Sequence, residues 1–172
     1  LGCDQVCELH QQLNSTGGQL RKVKLRSKLR YRENEYFQPI CATRAIETTL
    51  THLLTQLEAS LAAGMEPLVV IPLFCLDFMR IFPFLDGNRR MALLLTRHLL
   101  AINGHPIVSF VDLESEIQNT DKAFYQSLYQ SSQAKLPPTK WLAYWWVVLM
   151  RVYHRFNRQV KQAGINPGRG ST

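Results

Sequence analysis

Residues 82–90 read Phe82-Pro83-Phe84-Leu85-Asp86-Gly87-Asn88-Arg89-Arg90 and separate two apolar segments with helical spacing. A helix that begins near Arg89 directs its free N–H groups and the positive end of its dipole towards this stretch, and Gly87 allows a ligand close to the backbone. Asn88 and Arg90 are donors suited to phosphate oxygens, and Asp86 offers a carboxylate oxygen to Mg²⁺. The stretch is typical of a nucleotide-phosphate loop. The alternative is a plain turn between helices with Asp86 as N-cap.

The segments on either side of this loop predict helices. Residues 68–82 are apolar nearly all round, which is typical of a helix in the centre of a bundle. The next helix, over residues 89–102, is ended by Asn103-Gly104. Upstream, apolar residues recur with helical spacing over residues 46–61, between the capping residue Thr43 and the terminating Gly64. The core of the domain is therefore predicted to be helical.

The chain after residue 104 also predicts helices, at residues 113–118, at residues 122–131 and after Pro137-Pro138-Thr139. The last helix carries Trp141, Trp145 and Trp146, and we interpret this aromatic stripe as core packing. Its later positions form a basic face, made of Arg151, Arg155, Arg158 and Lys161.

A hairpin or an edge strand is predicted before the first long helix. Basic residues occupy every even position from Lys22 to Arg32, and this period of two is a strand signal. Tyr36 and Phe37 supply a short returning strand after residues 33–35. The basic face is either a solvated edge guarded by lysine and arginine or a surface that meets nucleic acid or an acidic partner.

Length and composition favour one compact domain. The 172 residues are 46% hydrophobic and 19% charged, and we expect a single domain over residues 1–163 with a flexible tail over residues 164–172. Twenty Lys and Arg against thirteen Asp and Glu give a formal charge of +7, which excludes an acidic disordered chain and draws attention to phosphate-bearing partners. The longest apolar stretch, residues 67–85, is interrupted by charges and prolines, so no membrane partner is expected.

The four cysteines stand at positions 3, 7, 41 and 75, without a second CxxC-like pair beside Cys3 and Cys7. Cys3, Cys7 and His10 have the spacing of one helix face, which in principle suits a metal. Because a zinc site needs a fourth ligand, we interpret the two thiols as small apolar residues beside a core-facing stripe. Cysteine usage predicts a reduced, cytoplasmic protein.

Residues 82–93 resemble the Fic motif, H-P-F-x-[D/E]-G-N-G-R-x-x-R, and residues 71–81 are similar to the central helix of bacterial Fic proteins. Residues 6–10 and 17–21 resemble the family's first helix and the turn before its flap. Its closing helices resemble residues 108–114, 124–128 and 141–145. The resemblance covers most of residues 4–156. It implies an all-α fold, the Fic (Fido) helical bundle with a small β-hairpin flap, and transfer of AMP, or less often another phosphate-containing group, from a nucleotide to a protein hydroxyl.

Six positions match the family motif: Pro83, Phe84, Asp86, Gly87, Asn88 and Arg90. The resemblance implies that Asp86 holds Mg²⁺, that Gly87 and Asn88 form an anion hole for ATP, that Arg90 clamps the phosphates and that Phe84 anchors the loop. It also implies a protein target that docks on the hairpin flap between Leu29 and Phe37 by main-chain pairing.

Three positions depart from the motif. Phe82 stands where the family has its catalytic histidine, so no catalytic residue is predicted, and loss of a positioned general base costs roughly 10²–10⁴-fold in rate. Arg89 replaces the second glycine and is predicted either to bind phosphate itself or to block the usual nucleotide pose. Leu93 replaces the second arginine. A basic residue in place of that glycine is similar to the Doc toxins, which transfer a phosphate instead of AMP and which also keep the histidine.

These observations favour a Fic-fold protein of the AMP-transferase lineage that keeps a phosphate loop and has weak or no activity. A second hypothesis is a basic binding module that contacts nucleic acid or an acidic protein without catalysis. It depends on the basic hairpin and on the absence of acidic residues after Asp121.

Overall fold

The computed structural model describes residues 1–14, 17–25, 29–32, 35–37, 39–133 and 136–164. In chain order the elements are α1 (Cys3–Leu13), β1 (Leu29–Arg32), β2 (Glu35–Phe37), α2 (Ile46–Ala62), α3 (Pro67–Ile81), α4 (Asn88–Ile102), α5 (Leu113–Gln118), α6 (Asp121–Ser131) and α7 (Thr139–Gln162). Short 3-10 turns occupy Thr43–Ala45 and Pro106–Ser109. Helices dominate, and the predicted all-α class is confirmed.

Helix α3 is the central helix, as its sequence predicts. It begins with Pro67 after Glu66, whose side chain accepts a hydrogen bond from the N–H of Leu68 at 3.1 Å. It packs against α2, α4 and α7, which explains why it is apolar on nearly every side. The indole N–H of Trp141 donates to the carbonyl of Pro72 at 2.6 Å and so joins α7 to α3 deep in the core.

The amphipathic helices place their apolar stripes on this centre. Helix α2 buries the predicted stripe of Ile46, Leu50, Leu53, Leu54 and Leu57. The structure places Thr43 in a 3-10 turn, so α2 itself begins three residues later than the capping signal indicates. Helix α7 buries Trp141 and Trp145, but Trp146 is half-exposed. The interpretation of the aromatic stripe as core packing is therefore wrong for Trp146, which lies about 100° around the helix from Trp145.

Strands β1 and β2 form an antiparallel pair, in which Leu29 lies opposite Phe37 and Arg30 lies opposite Tyr36. They lie beside α6. The predicted strand over residues 22–32 is too long, because residues 21–25 have no strand structure and Val23 is exposed together with Lys22. Residues 26–28 and 33–34 of the predicted hairpin lie outside the described residues. The role of this pair as a flap stays a prediction.

Within the described ranges, no helix has both the length and the apolar character needed to cross a bilayer. From residue 165 onwards, the predicted tail lies outside the described residues. All four cysteines are free thiols. In the part of the chain that the structure describes, no three His, Cys, Asp or Glu side chains group as metal ligands, and His10 is directed towards residue 86.

Candidate functional site

The loop over residues 82–90 joins the C-terminus of α3 to the N-terminus of α4. Phe82 ends α3 by donating its N–H to the carbonyl of Phe78 at 2.9 Å and adopts a left-handed backbone with φ of 50°. Gly87, with φ of 73°, reverses the chain again before α4. A left-handed conformation costs an L-residue about 1–2 kcal/mol. The surroundings of Phe82 must therefore hold the loop in place.

Arg21 supplies one of these constraints. Its Nε donates to the carbonyl of Phe82 at 2.7 Å, and its Nη2 donates to the carbonyls of Ile81 and Cys41 at 3.2 and 2.9 Å. Its backbone N–H donates to the carbonyl of Pro83 at 2.8 Å. The residue is only 4% exposed, and this burial lowers the pKa of its guanidinium. A cation at the C-terminus of α3 also interacts favourably with the helix dipole. Arg21 thus fixes the start of the loop.

His10 fixes the other half of the loop from α1. Its ring is 3% exposed and lies stacked on Phe84, with centroids 3.7 Å apart. The N–H of Gly18 donates to Nδ1 at 2.9 Å, so Nε2 carries the proton and donates to the carbonyl of Asp86, also at 2.9 Å. A Cβ on Gly87 would stand 3.0 Å from Nε2. The imidazole therefore fits between α1 and the loop with both nitrogens in use.

Asn88 shapes the loop from within. Its Oδ1 accepts from the N–H of Phe84 and its Nδ2 donates to the carbonyl of the same residue, both at 2.9 Å. The side chain is buried, and it anchors Phe84 in the core. The side-chain amide that the sequence analysis offers to an anion is thus hydrogen-bonded within the loop, and a role of Asn88 in anion binding stays a prediction.

Several donors remain for an anion at the N-terminus of α4. The first backbone bond of the helix joins the N–H of Met91 to the carbonyl of Gly87 at 2.9 Å. The N–H groups of Asn88, Arg89 and Arg90 precede this bond. Arg90 is exposed, forms no ion pair with a described residue, and its guanidinium lies 3.8 Å from where a Cβ on Gly87 would stand. The structure thus brings the N–H groups and the Arg90 guanidinium together at one helix end.

Asp86 lies at the mouth of the same loop with an exposed carboxylate. Its Oδ1 accepts from the N–H of Gly87 at 2.6 Å. An exposed carboxylate oxygen beside a phosphate site fits Mg²⁺, which typically binds through one or two carboxylates together with phosphates and water. Beside the loop, a cavity of about 290 Å³ opens between Asp86 and Lys22.

A family model for the Fic/DOC family matches residues 1–100. The chain belongs to the Fic/DOC family. The matched part extends from α1 to residue 100, near the end of α4, and it includes the loop together with His10 and Arg21, which hold the loop. No curated protein matches the chain. The resemblance read from residues 82–93 is thus confirmed at the level of the family.

At the second glycine position of the Fic/DOC motif, Arg89 turns towards α6. Its guanidinium pairs with Asp121 and lies over the rings of Phe124 and Tyr125, 4.8 and 5.2 Å from their centroids. Burial lowers the pKa of this guanidinium, but the hydrogen bonds and charges of Asp121 and Tyr125 together outweigh that effect and raise the pKa. The Arg89 side chain is thus held against α6, and its binding of phosphate stays a prediction. Leu93, at the second arginine position, is buried in the core.

At the histidine position of the Fic/DOC motif, Phe82 has no group that can accept a proton. His10 is close to the loop, but one of its nitrogens accepts from Gly18 and the other donates to Asp86. His98 is exposed on α4, ten residues beyond Asn88 and therefore on the order of 15 Å along the helix. Neither histidine takes the place of the missing base.

Sequence reasoning did not assign His10 and Arg21 their roles at the loop. The available signal was local: His10 follows the buried Val6 by four residues, which places both on the inner face of α1. Gly17 leaves room for the imidazole, since a Cβ there would stand 2.6 Å from Nδ1. Nothing in the residues around Arg21 indicates the carbonyl groups of a segment about sixty positions away.

Proposed function

We propose that this chain binds the phosphates of a nucleotide at residues 86–90 and that it transfers AMP weakly or not at all. One observation carries the proposal. Hydrogen bonds from Arg21 and His10 hold the loop of this Fic/DOC protein in place, yet a phenyl ring occupies the position of the family's general base. The braced loop is the part that recognises an anion, and Phe82 removes the part that takes the proton from a target hydroxyl.

The anion site in this proposal consists of backbone and one side chain. The N–H groups of Asn88, Arg89 and Arg90 lie at the positive end of the α4 dipole, and the Arg90 guanidinium is free to fork onto phosphate oxygens. Asp86 would hold Mg²⁺, whose role is to neutralise phosphate charge. ATP with Mg²⁺ is the ligand that this set of groups suits best.

Binding is tested by titrating the protein with ATP in the presence of Mg²⁺ and measuring the heat of binding by calorimetry. We expect saturable binding that weakens at least about tenfold in Arg90→Ala, because a charge-assisted bidentate contact is lost. Arg97→Ala is the matched control, since Arg97 is also an exposed arginine on α4 and lies two turns away. Absence of binding at millimolar ATP, or equal loss in both variants, contradicts the proposal.

The missing base is tested by restoring it. Phe82→His, alone and with Arg89→Gly, is assayed for incorporation of labelled AMP into the protein itself and into a lysate. We expect labelling in the restored variants at a rate roughly 10²–10⁴-fold above the parent, whereas Phe82→Ala, which removes the ring without adding a base, stays inactive. Histidine tolerates the left-handed backbone of residue 82 better than most side chains. Rapid transfer by the parent protein would overturn the proposal.

The β1–β2 pair is proposed as the surface on which the protein target docks. A two-stranded sheet leaves backbone groups unpaired at its outer edges, and an extended target segment can add to such an edge. Proline is placed in turn at Arg30 and at Tyr31, in the Phe82→His, Arg89→Gly background, to remove one backbone donor each time. We expect one of them to abolish labelling of lysate proteins while ATP binding is kept. Unchanged labelling in both variants argues against docking here.

A second candidate function, binding of an acidic partner or nucleic acid without catalysis, is supported by residues 122–172, which contain no acidic residue. Such binding should persist in Arg90→Ala and weaken steeply as salt rises from about 50 mM. If Arg90→Ala abolishes all binding of polyanions, this candidate fails and the loop alone accounts for the anion affinity.

A further inference from the structure

Helix α7 presents one face along its whole length that no other described element covers. The buried residues, such as Trp141 and Trp145, lie on the inner side. On the outer side, exposed residues recur with helical spacing, first Lys140, then an apolar stripe of Ala143, Trp146, Val147 and Met150, then His154, Arg158 and Lys161. We refer to this set as the outer face of α7.

The centre of the outer face is apolar and contiguous. Trp146 is 48% exposed, Val147 49% and Met150 61%, and spacings of one, three and four residues place them side by side. Single exposed apolar residues are normal on a protein surface, but a contiguous group marks a binding site more often. Tryptophan is also among the residues that contribute most to protein interfaces.

Both ends of the outer face are cationic. Lys140 precedes the apolar stripe, and Arg158 and Lys161 follow it, and none of the three forms an ion pair with a described residue. Residues 122–172 contain no acid, and Glu116, which contacts α7 from α5, is buried and already paired with Arg151 and Arg155, at 3.5 and 2.8 Å. The field around the apolar stripe is therefore positive without local compensation.

We propose that the outer face of α7 docks an amphipathic helix whose apolar centre is flanked by acidic residues at both ends. The distance from Lys140 to Lys161 is about 32 Å along the helix, which suits a partner helix of about 20 residues. A second copy of the chain is unsuitable, because its α7 carries the same charges. Nucleic acid offers phosphates to the cations but no extended apolar surface for the central stripe.

The outer face of α7 shares no residue with the phosphate loop, so this inference can be tested independently of nucleotide binding. The probe is a synthetic helix of about 20 residues with leucines on one face and glutamates near both ends of that face, compared with an analogue that carries lysine in place of glutamate. Binding is followed by calorimetry and by tryptophan fluorescence, to which Trp146 contributes together with the buried Trp141 and Trp145.

We expect the acidic peptide to bind and the lysine analogue not to bind. Trp146→Ala and Met150→Ser should each weaken binding about tenfold or more, and the charge reversals Lys140→Glu and Arg158→Glu should do the same. Ile102→Ala is the matched control, because Ile102 is an exposed apolar residue on α4. Arg90→Ala, which is expected to weaken ATP binding, should leave the affinity for the peptide unchanged.

Several outcomes would overturn this inference. One is that the acidic peptide fails to bind at millimolar concentration, and another is that it binds no better than the lysine analogue. A third is that Ile102→Ala lowers the peptide affinity as much as the substitutions on the outer face of α7 do. Tighter binding of a DNA duplex of about 20 base pairs would assign the surface to nucleic acid instead. Binding of phosphatidylserine vesicles with a blue shift of Trp146 would assign it to a membrane, and self-association through Trp146 would assign it to a second copy.

Discussion

The imidazole of His10 lies flat against the phenyl ring of Phe84, with the ring centroids 3.7 Å apart and the planes inclined by 3°. The same imidazole donates to the carbonyl of Asp86, which is 76 residues away along the chain. A single side chain of α1 thus contacts both the apolar anchor of the loop and its backbone. The conformation of the loop depends on the first helix as much as on its own sequence.

His10→Ala should lower the free energy of unfolding by about 2–4 kcal/mol. The substitution removes buried ring contacts and leaves the N–H of Gly18 and the carbonyl of Asp86 without their partner. The measurement is urea unfolding followed by circular dichroism. His52→Ala is the control, since His52 is exposed on α2 and should change stability by less than about 0.5 kcal/mol. Similar losses in both variants would show that His10 is not a specific brace.

Gly87→Ala should destabilise the protein more than Gly64→Ala. Both glycines have nearly the same positive φ, 73° and 75°, so the backbone strain is matched at about 1–2 kcal/mol. The difference is space: a Cβ at position 87 meets Nε2 of His10 at 3.0 Å, whereas nothing lies within 4 Å at position 64. Thermal unfolding of the two variants isolates the contact. Equal unfolding midpoints would mean that the His10 imidazole moves away from the new Cβ without any loss of stability.

Arg21→Ala should lower stability by about 2–4 kcal/mol, because carbonyl groups at the end of α3 lose a charged donor inside the protein. Arg21→Lys should recover only a small part, since an ammonium group cannot reach the carbonyls of Ile81, Phe82 and Cys41 in the same fork geometry. Lys22→Ala, an exposed neighbour, serves as the control in chemical unfolding. Full rescue by lysine would show that charge alone matters at this position.

Asp112 should make the stability of the protein depend on pH in the acid range. Hydrogen bonds from the hydroxyl and the N–H of Ser115 lower the pKa of this carboxyl. Because the folded pKa lies below the unfolded value of about 3.9, the stabilisation is complete above about pH 4. It is lost as the pH falls through the folded value. Asp112→Ala should therefore cost about 1 kcal/mol at neutral pH, and less near pH 3.

Urea unfolding of the wild type and the variant over a series of pH values measures this difference. Asp112→Asn is the control, because an asparagine caps a helix without a titrating group and should show no such trend. A cost of Asp112→Ala that stays constant from about pH 7 to pH 3 would contradict the assignment.

The helices could be predicted from the sequence because each buries a stripe whose period is visible in the residues. Helix α5 was predicted with its observed bounds, and α3, α4 and α6 to within one residue at each end. Trp146 could not be predicted to be exposed, because adjacent tryptophans look alike until the packing of α7 on α3 decides which of them faces inwards. The predicted start of the strand, near Val23, was wrong, since alternation of residue types alone does not provide a partner strand.

The loop illustrates a similar limit. Its residue types predicted an anion site, which stays a prediction, and the match over residues 1–100 shows the family. The directions of its side chains could not be predicted, because contacts made only in the folded chain set them. Asp121 on α6 holds Arg89, and the backbone of Phe84 within the loop bonds the side-chain amide of Asn88. A motif specifies which groups are present, whereas tertiary contacts decide which of them remain free.

The link between Arg21 and Phe82 spans 61 residues, so the loop is not an independent surface segment. To open it, the chain must also break the hydrogen bonds of Arg21 to the carbonyls of Phe82 and Pro83, and we expect such an opening to cost more free energy than one confined to a surface loop. The amide protons of Arg21 and Phe84 should consequently be among the slowest in the protein to exchange with solvent. A ligand would meet a receptor that is already rigid, and it would lose little affinity to ordering the backbone around it.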